Sequence, residues 1–176
     1  LTNFIFIFES MSDLHHAFYS LTTPFKKMNS IQHNQIEENY KKLGVSDAVM
    51  KVKELVDKAQ ICFSSTAPLG NDTHAPRPMN VRLLDNDGNL WFLSSSDNHK
   101  NIEIGKCPNV RLYFQGSPHS DFLLLTGYAS ISKDKEIIKK LWEPVIKTWF
   151  TEGVDDPRIT VIKVSPRKWL LLGDET

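Results

Sequence analysis

The chain has 176 residues, 40% hydrophobic and 24% charged, with 21 Lys plus Arg against 21 Asp plus Glu. That length suits one domain, able to bury roughly 70% of its unfolded surface without a disulfide or metal staple. The composition excludes a disordered chain, a coiled coil and a collagen-like fibre, and the balanced charge gives no general pull toward nucleic acid or an anionic membrane.

The chain opens on Leu1, and no apolar stretch reaches the roughly 18 residues that a membrane span needs. The longest candidate, Phe4 to Phe8, lacks the basic flank and the small-residue cleavage site of a signal peptide. Residues 1–33 keep no steady period and are left as an unassigned N-terminal extension, with Met28 opening a more ordinary run. The main domain is expected over 34–176. Ile36 to Leu43 could form a short helix ending at Gly44. Ser46 reads as the N-cap of an amphipathic helix whose apolar stripe is Val49, Val52, Leu55, Val56 and Ala59.

Strands follow. Ile61 to Thr66 is rich in β-formers, and Pro76 to Leu84 alternates with Met79, Val81 and Leu83 on one face. Asp85-Asn86-Asp87-Gly88 predicts a hairpin turn returning through Leu90 to Ser94, because these residues tolerate positive φ. Ser95 to Asp97 offers caps for a short helix running to Ile104 and closed by Gly105. Val110 to Phe114 and Phe122 to Ile131 are the next strands, and Gly127 marks a bulge or a close backbone approach. Asp134 to Phe150 has a helical apolar stripe that Pro144 should kink or restart. Ile159 to Val164 and Leu170 to Leu172 complete the strands. The expected fold is mainly β, a six- to seven-stranded antiparallel split barrel with flanking helices, since consecutive hairpins pair antiparallel and closure removes exposed edges.

The chain carries no GxGxxG, P-loop, HExxH or GxSxG, which counts against a Rossmann dehydrogenase, an NTPase, a zincin and an α/β-hydrolase. The scattered His residues suggest no metal site. Cys62 and Cys107 form no CxxC and no disulfide framework, pointing to a reduced, cytoplasmic setting. The informative segment is 74–100. Adjacent antiparallel strands would bring Arg77 and Arg82 near Ser94 and Lys100. Guanidinium, ammonium, hydroxyl and helix N-terminal N–H groups are what a phosphate dianion requires. A lysine in a helix's first turn is otherwise disfavoured by the helix dipole. The plain alternative is that Arg82 and Lys100 simply face water.

Several short motifs occur in order: Arg77-Pro78-Met79, Leu90-Trp91-Phe92-Leu93, Ser96 to Lys100, Pro108-Asn109-Val110, Gly127-Tyr128-Ala129, Leu141-Trp142, Trp149-Phe150 and Asp155-Asp156-Pro157. Across residues 36–170 this set resembles the pyridoxamine-phosphate-oxidase-like, FMN-binding split-barrel family, and within it the general stress protein 26 branch. The resemblance implies a homodimer with FMN at the subunit interface. It implies that Arg77, Met79, Asn80, Val81 and Arg82 meet the flavin, and that Leu93, Ser94, His99 and Lys100 meet its ribityl and phosphate groups. Arg77 or Arg82 would favour negative charge on the reduced ring. Trp149 and Phe150 would either cover the ring from the partner subunit or pack in a core. No His follows His119, so the Arg-x-His grip of true pyridoxamine phosphate oxidases is missing and vitamin oxidation is not expected. The expectation is a flavin-dependent oxidoreductase with a small-molecule redox partner, the alternatives being a non-enzymatic flavin-binding stress or sensor module and an interaction domain without cofactor.

Overall fold

The alternating segments fold as strands whose inward residues make one core. The structure, a computed structural model, describes residues 3–8, 45–66, 76–118 and 121–174. The expected helix at 36–43 lies outside the described residues. The strands are β1 (Asn3–Phe8), β2 (Ile61–Thr66), β3 (Arg77–Asn80), β4 (Leu83–Leu84), β5 (Leu90–Ser95), β6 (Asn109–Gln115), β7 (Phe122–Ser132) and β8 (Ile159–Asp174). The helices are α1 (Val45–Ala59), α2 (His99–Lys106) and α3 (Lys135–Leu141). Every strand pair is antiparallel, and seven strands follow the path β3-β2-β6-β7-β8-β5-β4. β1 joins as an additional strand on β8. The architecture is the expected mainly-β, antiparallel half-barrel with helices.

The ends of that path, β3 and β4, are separated in sequence by only Val81 and Arg82. The Val81 amide donates to the Gln60 carbonyl and the Arg82 amide to the Trp91 carbonyl, both at 2.8 Å. These two bonds curl the sheet and bring its ends together. They also correct the expectation of one strand from Pro76 to Leu84. β3 pairs with β2, only β4 pairs with β5, and the chain changes partner at the junction.

β8 is the spine of the sheet. It pairs with β7 along one edge, while its other edge serves β5 over Ile159–Val164 and β1 over Trp169–Asp174. Two separate strands were expected around Pro166, and one continuous 16-residue strand is found. The reason is local. Pro166 lies between the β5 and β1 segments, where that edge has no ladder partner among the described strands, so its missing N–H is not needed there. On the other edge Thr126 faces Lys168 and Gly127 faces Pro166, leaving Arg167 as the extra residue of a bulge. Arg167 turns outward and donates to the Tyr128 hydroxyl at 2.5 Å.

Leu90, Phe92, Leu112, Leu123, Leu125, Val164 and Trp169 fill the barrel, and Val52, Leu55 and Val56 of α1 pack against them. α1 begins at Val45, so Ser46 is its second residue rather than its cap. A second cluster lies on the opposite face of β5. Trp91 and Leu93 point there, toward Ile138 and Leu141 of α3 and Ile146 and Phe150 of the following segment. That segment restarts at Pro144 as a short 3-10 turn, Pro144–Thr148, because proline suits a first helical turn and not a helix interior. Asp134 caps α3 by accepting from the Glu136 and Ile137 amides. Among the described residues no helix is long and apolar enough to cross a membrane.

Two consequences can be measured. A Cβ at Gly127 would lie 2.5 Å from the Ser165 carbonyl oxygen. Gly127→Ala must therefore displace backbone, and a loss of about 1–3 kcal/mol is expected from chemical denaturation. Asp156 is shielded from solvent and accepts from the Arg158 side chain and amide, which hold its carboxyl down at about 2 against the opposing cost of burial. A lowered native pKa contributes stability above the ordinary carboxylate range and loses it as pH falls toward the native value. Wild-type protein should weaken over that acid interval, and Asp156→Asn should flatten this part of its pH–stability profile.

Candidate functional site

α2 carries the chemistry of the site because its faces are used differently. Asn98 caps it, accepting from the Lys100 amide at 3.1 Å, and Cys107 closes it. The caps expected at Ser95–Asp97 and the stop at Gly105 are thus each displaced. Ser95 instead donates to Asp97 within the preceding turn, and Gly105 lies inside the helix. Asn101 and Ile104 face inward. The Asn101 amide donates to Thr160 Oγ1, which donates to the Ser94 carbonyl, tying α2 to β5 and β8. The buried Asn101 Oδ1 has no partner among the described residues.

Lys100 and Glu103 are three residues apart, which places them on one helix face. Glu103 accepts from both terminal nitrogens of Arg77, at 2.6 and 2.8 Å, and from Thr66 Oγ1 at 2.6 Å. The Glu103 side chain is 14% exposed and that of Arg77 32%. Lys100 is half-buried beside them. Burial, and then the positive charge of Arg77, hold its ammonium below the usual lysine range, while Cys62 acts weakly the other way. No acidic side chain pairs with Lys100 among the described residues. The neighbouring Cys62 thiol is pushed up to about 12 by burial, so it is protonated and a poor nucleophile.

The structure therefore brings Arg77 and Lys100 together, by a route the sequence did not predict. β3 does not pair with β5, so the two cations meet through the docking of α2 on β2 and β3 rather than through adjacent strands. Arg82 pairs with Glu143 at 2.8 Å, its own side chain only 12% exposed. Met79 is buried opposite Cys62, Asn80 is exposed at the end of β3, and Val81 packs on the main core. Leu93 lies in the second cluster. Ser94 is buried, and His99 is exposed at the start of α2. Trp149 is 58% exposed while Phe150 is buried, so the expected pair divides between surface and core.

Sequence reasoning missed Thr66, Asn101, Glu103 and Thr160. The one available signal was the helical spacing of Lys100 and Glu103. The face contains a lysine amine, the remaining N–H groups of a guanidinium and the positive end of a helix, a combination suited to an anion. Among the described residues no group of three or more His, Cys, Asp or Glu side chains could hold a metal ion. β3 ends the strand path, so its second edge has no ladder partner among the described strands and keeps backbone donors and acceptors for a ligand.

Comparison with known proteins agrees with this architecture. Protein bli-3 of Neurospora crassa is 28% identical over 83 residues, a match covering 43% of this chain and 40% of that protein's own length. The crystal structure of general stress protein 26 from Bacillus anthracis superposes with a TM-score of 0.61 at 23% identity, covering 70% of this chain and 92% of that one. The general stress FMN/FAD binding protein from Xanthomonas citri gives 0.63 at 21% identity, covering 74% and 92%. The family model described as pyridoxamine 5'-phosphate oxidase like matches residues 47–169, and with most of the chain inside that match, the protein belongs to this family.

Proposed function

We propose that the protein binds FMN, with its phosphate at the Lys100–Arg77 face and its ring along β3, and that it acts as a flavin-dependent oxidoreductase on a small redox partner. The observation that carries this reading is the juxtaposition of two cations at the start of α2, where Lys100 has no acidic partner among the described residues. The donor set fits a phosphate monoester: an ammonium and the outer N–H groups of Arg77, at the positive end of α2. His99, exposed beside Lys100, would add a hydrogen bond to the phosphate or ribityl groups. The free edge of β3, from Arg77 to Asn80, suits the polar rim of a ring, with Val81 and Arg82 at its end. Met79, Leu93 and Ser94 would shape the floor of the site rather than reach out from it. FMN, when bound, supplies reversible electron transfer, while this chain binds and orients it and sets the local charge.

The reading includes a homodimer. Exposed Ile61 and Phe63 of β2, Tyr113 of β6 and Phe122 of β7 give the sheet an apolar outer face, with Phe63 opposite Tyr113 and Tyr113 opposite Leu124. A second copy on that face would bury it, and Trp149 of the partner subunit would then be free to cover a ring. Unpaired Cys62 and Cys107 suit a reducing cytoplasm. The general stress naming of the structural neighbours favours a role in stress response.

A second reading, a flavin-binding module without turnover, is favoured by the protonated Cys62 thiol, which leaves the anion face without a nucleophile from that residue. Two experiments test these readings. Replacing Arg77 and Lys100 together by Ala should weaken FMN binding about ten- to a hundredfold, the value of a charge-assisted hydrogen bond or two, read by flavin fluorescence. Affinity unchanged would place the phosphate elsewhere. Reduction of the bound flavin by a nicotinamide donor should outpace that of free FMN if the protein is an enzyme, and match it if the protein only binds.

A further inference from the structure

We propose that Glu103 is the positioning residue of the phosphate face: its carboxylate holds the Arg77 guanidinium and fastens α2 to β2 and β3, so that Lys100 and Arg77 are presented as one unit. This rests on the flavin reading above and adds a residue that neither the motifs nor the family match assigns. Three elements meet at the carboxylate. Thr66 of β2 donates to Oε2, and Arg77 of β3 donates to both oxygens, while Glu103 itself belongs to α2. Lys100 lies one turn earlier on the same helix face, so whatever fixes Glu103 against the strands also fixes Lys100.

The geometry leaves Arg77 useful. The carboxylate takes one hydrogen from each terminal nitrogen, and a guanidinium carries five N–H donors, so three remain for an anion. Their direction is set by the bidentate pair, whose two parallel bonds fix the plane of the guanidinium. Without Glu103, Arg77 would stand beside a second cation with no carboxylate to orient it, and repulsion from Lys100 would drive the two apart.

Two effects compete when the carboxylate is lost. Removing a negative charge strengthens the long-range attraction for a phosphate, and freeing Arg77 scatters its donors. Arg77, the cation that would attract the phosphate, is 32% exposed, so water screens the first effect at the anion, whereas nothing screens the second. Orientation should therefore win, and Glu103→Gln should bind FMN more weakly despite its more positive site. Gln cannot accept at both positions, since its amide nitrogen is itself a donor facing the guanidinium or Thr66.

The test is titration of wild-type, Glu103→Gln and Glu103→Asp proteins with FMN and with riboflavin, which lacks the phosphate, read by flavin fluorescence. Glu103→Gln should lose about tenfold in FMN affinity while its riboflavin affinity stays within about twofold, and Glu103→Asp should recover part of the loss. FMN affinity that is unchanged or tighter in Glu103→Gln overturns the proposal, as does an equal loss for both ligands, the mark of a merely structural role. If Glu103→Gln does not fold, Thr66→Val, which removes one donor to the carboxylate at similar volume, should weaken FMN but not riboflavin by about threefold. An unchanged ratio overturns it there. Wild-type protein that binds FMN and riboflavin equally refutes the phosphate assignment itself, a result separate from any behaviour of the variants.

Discussion

Two positive side chains held next to each other are the constraint on which the site depends. Arg77 and Lys100 repel, and burial of Lys100 makes that repulsion costlier. A fold tolerates such a pair when geometry imposes it and a carboxylate offsets part of it. Here the geometry comes from the docking of α2 on β2 and β3, and the carboxylate is Glu103, which accepts from Thr66 and Arg77. The charge left over faces outward from the start of a helix, where an anion is favoured.

The rest of the molecule serves this arrangement. α2 has a second anchor on its inner face, Asn101 bonded to Thr160 of β8, and Thr160 in turn donates to the Ser94 carbonyl of β5. β8 keeps its full length because Pro166 falls where its edge has no partner among the described strands and because Gly127 lets Ser165 approach closely. Two clusters on opposite faces of β5 then divide the labour. The barrel interior holds the strands together, and the outer cluster seats α3 and the segment leading to Trp149.

Features written in local chemistry could be read from the sequence. The Asp85–Gly88 turn forms as expected, with Gly88 at φ 79 and its amide bonded to the Asp85 carbonyl. Pro144 restarts the chain as a short turn, and Gly127 marks a tight contact. The antiparallel half-barrel followed from the count of strands and hairpins. What could not be read depends on distant partners. The break between β3 and β4 has no local sign, because it is made by the Gln60 and Trp91 carbonyls. The Asn98 cap of α2 was masked by three equally good caps before it. Glu103 looked like an ordinary helix-surface acid, since its partners Thr66 and Arg77 lie 37 and 26 residues away in sequence.

The most direct measurement is the titration of Lys100 itself, followed by NMR of isotope-labelled lysine in the free protein and with FMN present. The account predicts that the Lys100 ammonium titrates below ordinary lysines in the free protein, and that FMN raises its pKa, because a nearby anion favours the charged form. Riboflavin should leave it where it was. A Lys100 that titrates like a surface lysine, or that is indifferent to FMN, would contradict the account.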